Sequence, residues 1–304
     1  MNKKEIPGKR SFYKYMAPET ALAVFTHKTF RYSSPLLFND PFDIQSGLHF
    51  EFDIEDIYLK ILNRLEELAK RDHLPNLDGD DPWAQVVKAV WENYPSHGFP
   101  RKKWLEQLAK NAEKLELVKV MRQTQIDYAK DCEKRLPTLR VFCVSEERDN
   151  LLMWAHYAKD HTGIVAEVLS LPEEDNPLSV ARRVTYIDSP PPFYSEEEWL
   201  DDILLQKRLD HSSLSIKYAQ TKSNHWAYEK EWRVWYPSEP HNEVGLWSDM
   251  PIRPSELKAV YFGCRMEEKF EAKLVNLISD VFPNTEKYRA KKLEGKYELG
   301  HEKI

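Results

Sequence analysis

Glu229-Lys230-Glu231-Trp232-Arg233 is the stretch of this sequence best equipped for chemistry, and it lies inside Trp226–Tyr236, the densest aromatic and charged run in the chain. If that run is a strand, side chains alternate. Glu229, Glu231, Arg233 and Trp235 then share one face, and Lys230, Trp232, Val234 and Tyr236 the other. Two carboxylates so placed repel unless a cation, a donor or a substrate hydroxyl comes between them. Arg233 is the local cation. The plain alternative is a solvated Glu–Arg ladder with no role beyond the fold.

Three further groups of residues bear on a site. Lys14 interrupts an otherwise apolar strand at Ser11–Met16, where it either marks an edge or faces a ligand phosphate. Asn39 and Asp40 precede Pro41 in a compact loop and are first of all turn formers whose side chains cap backbone donors. His156 and Tyr157 lie at the end of a short helix that Asp149 or Asn150 can cap, and His161 and Gly163 mark its exit. Histidines five apart do not share a helix face, so they are not a helical metal pair. Phosphate-loop, dinucleotide-binding, nucleophile-elbow and His-Glu-x-x-His motifs are all missing. With nine glycines, a cradle of backbone amides for phosphate is not expected.

The elements that must position these residues can be placed from periodicity. Strands are predicted at Ser11–Met16, Thr29–Ser34, Leu139–Ser145, Gly163–Leu169, Arg182–Asp188 and Leu257–Gly263, with short ones around Glu286–Leu299. Helices are predicted over Glu19–Phe25, Leu151–Ala158, Ser195 to about Asn224, and Glu267–Val281. Between the second and third strands the pattern changes. From Ile54 to Leu68, and again from Trp104 to Ala129, apolar residues recur at helical spacing, on either side of a polar linker at Asp72–Pro82. The prediction is a single α+β domain over 1–304, with a central, mainly antiparallel sheet flanked by helices and a helical insertion at 51–136.

Composition narrows the setting. The chain has 304 residues, of which 41% are hydrophobic and 31% charged, enough to bury a sizeable core. A formal charge of −6 gives no global basic field, so nucleic acid is not indicated. Cys132, Cys143 and Cys264 lie far apart, which disfavours disulfides and a thiolate zinc site. The charged N-terminus is followed by no apolar segment, and no run is long enough to cross a bilayer. The expectation is a cytoplasmic protein with no membrane partner.

Taken together, Tyr13-Lys14-Tyr15, Tyr32-Ser33-Ser34-Pro35, Phe38-Asn39-Asp40-Pro41-Phe42, Cys143-Val144-Ser145, Met153-Trp154-Ala155-His156-Tyr157-Ala158 with His161 and Gly163, and Tyr228-Glu229-Lys230-Glu231-Trp232-Arg233 resemble the bacterial family called domain of unknown function 2971. The family's Asn-Asp-Pro-Phe-Glu ends here in Asp43, which keeps the carboxylate. A looser likeness of layout is to mono-ADP-ribosyltransferases. They have a polar residue on the first strand, a Ser- or Tyr-bearing second strand, and a catalytic Glu, often as Glu-x-Glu, on a later one. Lys14 or Tyr15, then Tyr32-Ser33-Ser34, then Glu229-Lys230-Glu231 follow that order.

This likeness implies an NAD-consuming enzyme. Breaking the nicotinamide–ribose bond passes through an oxocarbenium-like state that a carboxylate stabilises. Glu231 would hold the nicotinamide ribose and Glu229 the acceptor. Tyr32 or Tyr157 would stack on nicotinamide, Ser33 would brace the strand, and Lys14 and Arg233 would meet the pyrophosphate. Tyr15, Asn39 and His156 complete the expected cofactor-binding set, with NAD as substrate, an acceptor macromolecule of unknown identity and no metal. Two other readings stand beside it. One is a module that binds a nucleotide or small ligand, or recognises a partner, without turnover in a defence or toxin system. The other is a metal-dependent nuclease built on Glu229, Glu231, Asp40 and His156.

Overall fold

A computed structural model describes residues 9–46, 52, 56–77, 79–110, 113–192, 194–205, 207, 216–238 and 245–304. The chain opens with β1 (Arg10–Met16), α1 (Pro18–His27) and β2 (Thr29–Ser33), followed by α2 (Ile57–Ala69), α3 (Pro82–His97), α4 (Arg101–Lys110) and α5 (Glu113–Arg135). Next come β3 (Leu139–Ser145), α6 (Leu151–His156), β4 (Ile164–Ser170), β5 (Arg182–Arg183), β6 (Thr185–Ile187), α7 (Glu196–Leu205) and β7 (Thr221–Ser223). The last part holds β8 (Glu231–Pro237), β9 (Trp247–Pro251), β10 (Leu257–Phe262), α8 (Glu268–Val281), β11 (Glu286–Lys292) and β12 (Leu299–Lys303). No helix among the described residues is long and apolar enough to cross a membrane.

Contacts divide the chain into two compact units, one of residues 1–46, 135–189 and 220–304, the other of 47–134 and 190–219. The first is built on a sheet in the order β12-β11-β10-β4-β1-β3-β2-β9, with β8 on β3 and β5 on β8. Its pairings are antiparallel except β10–β11, which α8 joins as a crossover. The architecture is therefore α+β, with a mainly antiparallel sheet and helices packed against it. The central strand β4, Ile-Val-Ala-Glu-Val-Leu-Ser, is almost wholly buried, as a strand covered on both sides must be, with Glu167 satisfied by Ser11, Lys258 and Tyr261. On one face Phe12, Phe142, Trp232, Val260 and Phe262 pack with Phe25 of α1 and Phe282 after α8. On the other, Tyr15 and Tyr261 receive Met153 and Trp154 of α6.

β3 organises the site. One of its edges pairs with β8 from Leu139↔Pro237 to Ser145↔Glu231. The other edge is shared, with β1 meeting it only at Tyr13↔Ser145 and β2 only at Ser33↔Val141. The two strands diverge between those points and leave Cys143 without a ladder partner on that side. Lys14 Nζ donates to the Cys143 carbonyl at 2.8 Å and fills the fork. An unmet buried carbonyl is costly, so a long polar side chain at this point of β1 has a structural reason.

The second unit has its own core. Ile57, Ile61, Leu65 and Leu68 of α2 pack with Val87 of α3 and with Tyr194, Trp199, Leu200 and Leu204 around α7. Their i, i+3, i+4 spacing is the amphipathic pattern read from the sequence, and Asp81 caps α3 by accepting from the Ala84 amide at 2.9 Å. Ile54 and Ala112 lie outside the described residues, as do the side chains of Leu108, Leu115, Val118 and Met121.

Three expected elements differ. The helix predicted from Ser195 to Asn224 is α7 at its start, while 206 and 208–215 lie outside the described residues. Its last part is instead the strand β7, where Thr221-Lys222-Ser223 pairs with β6 before Ser223 caps a 3₁₀ turn. The strand predicted at Arg182–Asp188 divides into β5 and β6, which pair with β8 and β7 respectively. The strand predicted to begin at Trp226 begins at Glu231, because Asn224–Glu229 is that 3₁₀ turn and Lys230 adopts a left-handed conformation, φ 44°. β9 was not anticipated.

Candidate functional site

The fork between β1 and β2 opens a cavity of about 390 Å³ within the first unit, inside the range of small-ligand pockets of roughly 300–1,000 Å³. Eight of the ten residues expected at a site line it: Lys14, Tyr15, Ser33, Asn39, His156, Tyr157, Glu229 and Glu231. They come from β1, β2, the loop after it, α6 and the approach to β8. Strand alternation explains one of the other two. Ser33 and Arg31 face the cavity while Phe30 and Tyr32 face the core, where Tyr32 stacks on Phe142 with ring centres 4.8 Å apart. Tyr32 is therefore not positioned to stack on a ligand, and Tyr157 is. Arg233 is fully buried behind the wall.

Glu229 and Glu231 meet at one cation, and it is not the one expected. The Lys222 ammonium donates to Glu229 Oε2 at 2.6 Å and to Glu231 Oε2 at 3.1 Å, and stands 3.4 Å from Asp43. Arg233 donates from Nε to Glu231 Oε1 at 2.8 Å and from Nη2 to Oε2 at 3.0 Å, and grips Asp43 through both oxygens at 2.9 and 2.6 Å. Sequence alternation had placed both glutamates on a strand face. The 3₁₀ turn and the left-handed Lys230 bring them together by another route. Lys222 escaped notice inside a predicted helix, although Thr-Lys-Ser followed by Asn carries a β-branched residue and a cap that argue for a strand ending in a turn. Asp43 showed only as the carboxylate closing the Asn-Asp-Pro-Phe-Asp segment.

The two carboxylates are driven in opposite directions. Burial alone would raise Glu231, but the charges of Arg233 and Lys222 outweigh it and hold Glu231 well below the usual carboxylate range. Burial raises Glu229, with only Lys222 opposing it strongly and Glu231 adding to the rise. Tyr157 donates to Glu229 Oε1 at 2.5 Å, and burial together with that carboxylate pushes the phenol up, so it remains a donor. Burial would lower Lys222, but Glu231, Glu229 and Asp43 keep it charged. Burial also lowers Lys14, and there the charges of Glu231 and Glu229 do not outweigh it.

The remaining candidates do local work. Tyr15 donates to the Glu147 carbonyl at 2.8 Å, and Asn150 caps α6 through the Leu152 and Met153 amides. His156 meets the Tyr228 hydroxyl at 3.0 Å. Asp40 accepts from the Phe42 amide at 2.9 Å and from Trp226 Nε1 at 2.6 Å, which ties the loop down as a turn former should. Among the described residues no three His, Cys, Asp or Glu side chains are grouped to hold a metal ion; Glu229 and Glu231 share Lys222, while Asp40 is tied to Phe42 and Trp226 and His156 to Tyr228.

No curated protein and no solved structure matches the chain. Residues 153–234, which run from α6 through β8 and include Tyr157, Lys222, Glu229, Glu231 and Arg233, match the model of a family described as protein of unknown function, DUF2971. That stretch holds most of the charged wall of the cavity.

Proposed function

We propose that the cavity binds a nicotinamide dinucleotide and cleaves its N-glycosidic bond in an ADP-ribosyltransferase-like reaction. The observation that carries this reading is the pair of carboxylates on one ammonium whose protonation is driven apart. Such pairs divide acid–base work from fixed-charge work. Glu231 remains ionised and gives the wall a permanent negative charge. Glu229, raised toward neutrality and hydrogen-bonded to Tyr157, is suited to take a proton from the incoming acceptor.

Hydrogen-bond capacity refines the roles. Glu231 already accepts from Arg233 Nε, Arg233 Nη2, Lys222 and the Cys143 thiol, which fills its lone pairs. Glu229 accepts from Tyr157 and Lys222 only, among the described residues. Gripping the ribose hydroxyl, the role first expected of Glu231, therefore passes to Glu229, and Glu231 becomes a positioning residue. Tyr157 supplies an aromatic face for a flat base.

The test is incubation of the full chain with NAD and mixed protein, DNA and RNA acceptors, with mass-spectrometric detection of nicotinamide and of ADP-ribose adducts. Nicotinamide release that disappears in Glu229→Gln is the expected result. Neither release nor an NAD-dependent rise in Tm would end this reading. A rise without release would assign the cavity to binding without turnover.

A further inference from the structure

Two lysines line the same cavity in opposite states. Lys222 is surrounded by three carboxylates. Lys14, among the described residues, has a main-chain carbonyl at 2.8 Å and the face of the Phe142 ring at 4.8 Å from its nitrogen, with no ion pair. An amine enclosed this way loses hydration with no carboxylate in direct contact, and the charges of Glu231 and Glu229 offset that loss only in part, which shifts it toward its neutral, nucleophilic form. Its position is fixed, because it fills the fork where β1 and β2 part from β3, and it still opens into the cavity.

We propose that Lys14 is a nucleophile that forms an imine with an aldehyde or ketone held in this cavity, the ligand being a polyhydroxylated carbonyl compound such as the open-chain form of a reducing sugar. The neutral nitrogen attacks the carbonyl carbon, a C–N bond forms, and the oxygen takes up a proton to give a carbinolamine. Protonation of its hydroxyl releases water as the C=N bond forms, and water addition reverses the sequence. Glu229, which burial raises above the ordinary carboxylate value and which lines the same cavity, is the acid for the dehydration. Tyr157 and Glu229 offer hydrogen bonds to ligand hydroxyls. The inference rests on the cavity and its amine, not on nicotinamide chemistry, so either reading can fail alone.

Reductive trapping tests it on the full chain. Formaldehyde with cyanoborohydride, followed by peptide mass spectrometry between pH 6 and 9, ranks every lysine by reactivity. Lys14 is expected to react at least about tenfold faster at pH 7 than the exposed Lys70 and Lys291. Ribose 5-phosphate with cyanoborohydride is expected to add once per chain, at Lys14, and not at all in Lys14→Arg, which keeps the charge but cannot form the imine. Lys14 reacting no faster than exposed lysines would overturn the proposal. So would sugar adducts scattered over the surface with Lys14 unmodified, or no adduct.

Discussion

At the scale of single residues, Glu229 and Glu231 separate a catalytic reading from a structural one. If the pair were only a salt bridge, removing either charge would cost stability. The geometry predicts different outcomes. Glu231→Gln leaves Arg233 and Lys222 short of a buried partner and should destabilise the protein by about 3–5 kcal/mol in denaturant unfolding. Glu229→Gln removes a desolvated carboxylate while Lys222 keeps Glu231 and Asp43, so Tm should hold or rise while nicotinamide release is lost. The pH dependence follows with opposite signs. Glu231, depressed, contributes stability that is present above its unfolded value of about 4.3 and is lost as pH falls toward its folded value. Glu229, raised, contributes stability that is complete below about 4.3 and is lost as pH rises through its folded value. Wild type should therefore lose stability relative to Glu229→Gln across that upper window, and a constant difference would contradict the assignment. Residue types alone pointed to Glu229, Glu231, Tyr157 and Lys14. They could not point to Lys222, because a lysine among 44 basic residues becomes distinctive only when three carboxylates converge on it.

At the scale of elements, what places those residues is an irregularity of the sheet. Most strands and helices were legible because their patterns are strong. β3 was placed at Leu139–Ser145 and α8 within one residue of its start, each marked by alternation or by 3.6-residue spacing. The fork was not legible, since it depends on which strands share an edge of β3, and pairing order leaves no mark in a single sequence. Two glycines do mark where backbones crowd beside it. A Cβ on Gly163 would stand 2.1 Å from the Met16 carbonyl oxygen at the end of β1, and one on Gly263 would stand 2.1 Å from the His161 oxygen. In both cases the obstacle is backbone, which cannot rotate away. Gly163→Ala should cost at least the 1–3 kcal/mol typical of overpacking, about that much in urea unfolding. Because Gly163 follows the turn that leaves α6, the same change should displace Tyr157 and His156 and weaken the NAD-dependent rise in Tm proposed for the cavity more than an equally destabilising change in α2. Wild-type stability in Gly163→Ala would show that the turn has room for a methyl group after all.

At the scale of the whole molecule, the cavity and its charged wall are contained in one of the two units, assembled from residues 1–46, 135–189 and 220–304. The other unit has a separate core around α2, α3 and α7. Amphipathic spacing made α2 readable from the sequence, whereas α3 was not read and the recruitment of residues 190–219 into the same unit was not legible, because it is a long-range contact. Separate cores imply separable unfolding. Leu65, fully buried in the second unit, tests this. Leu65→Ala should cost about 2–5 kcal/mol, and calorimetry should show one transition moving down while the other stays. A ligand of the cavity should act on the transition that Leu65→Ala leaves alone, since binding stabilises only the unit that forms the site. One transition in wild type and variant alike, shifted by both the mutation and NAD, would mean that the two cores unfold as one cooperative body.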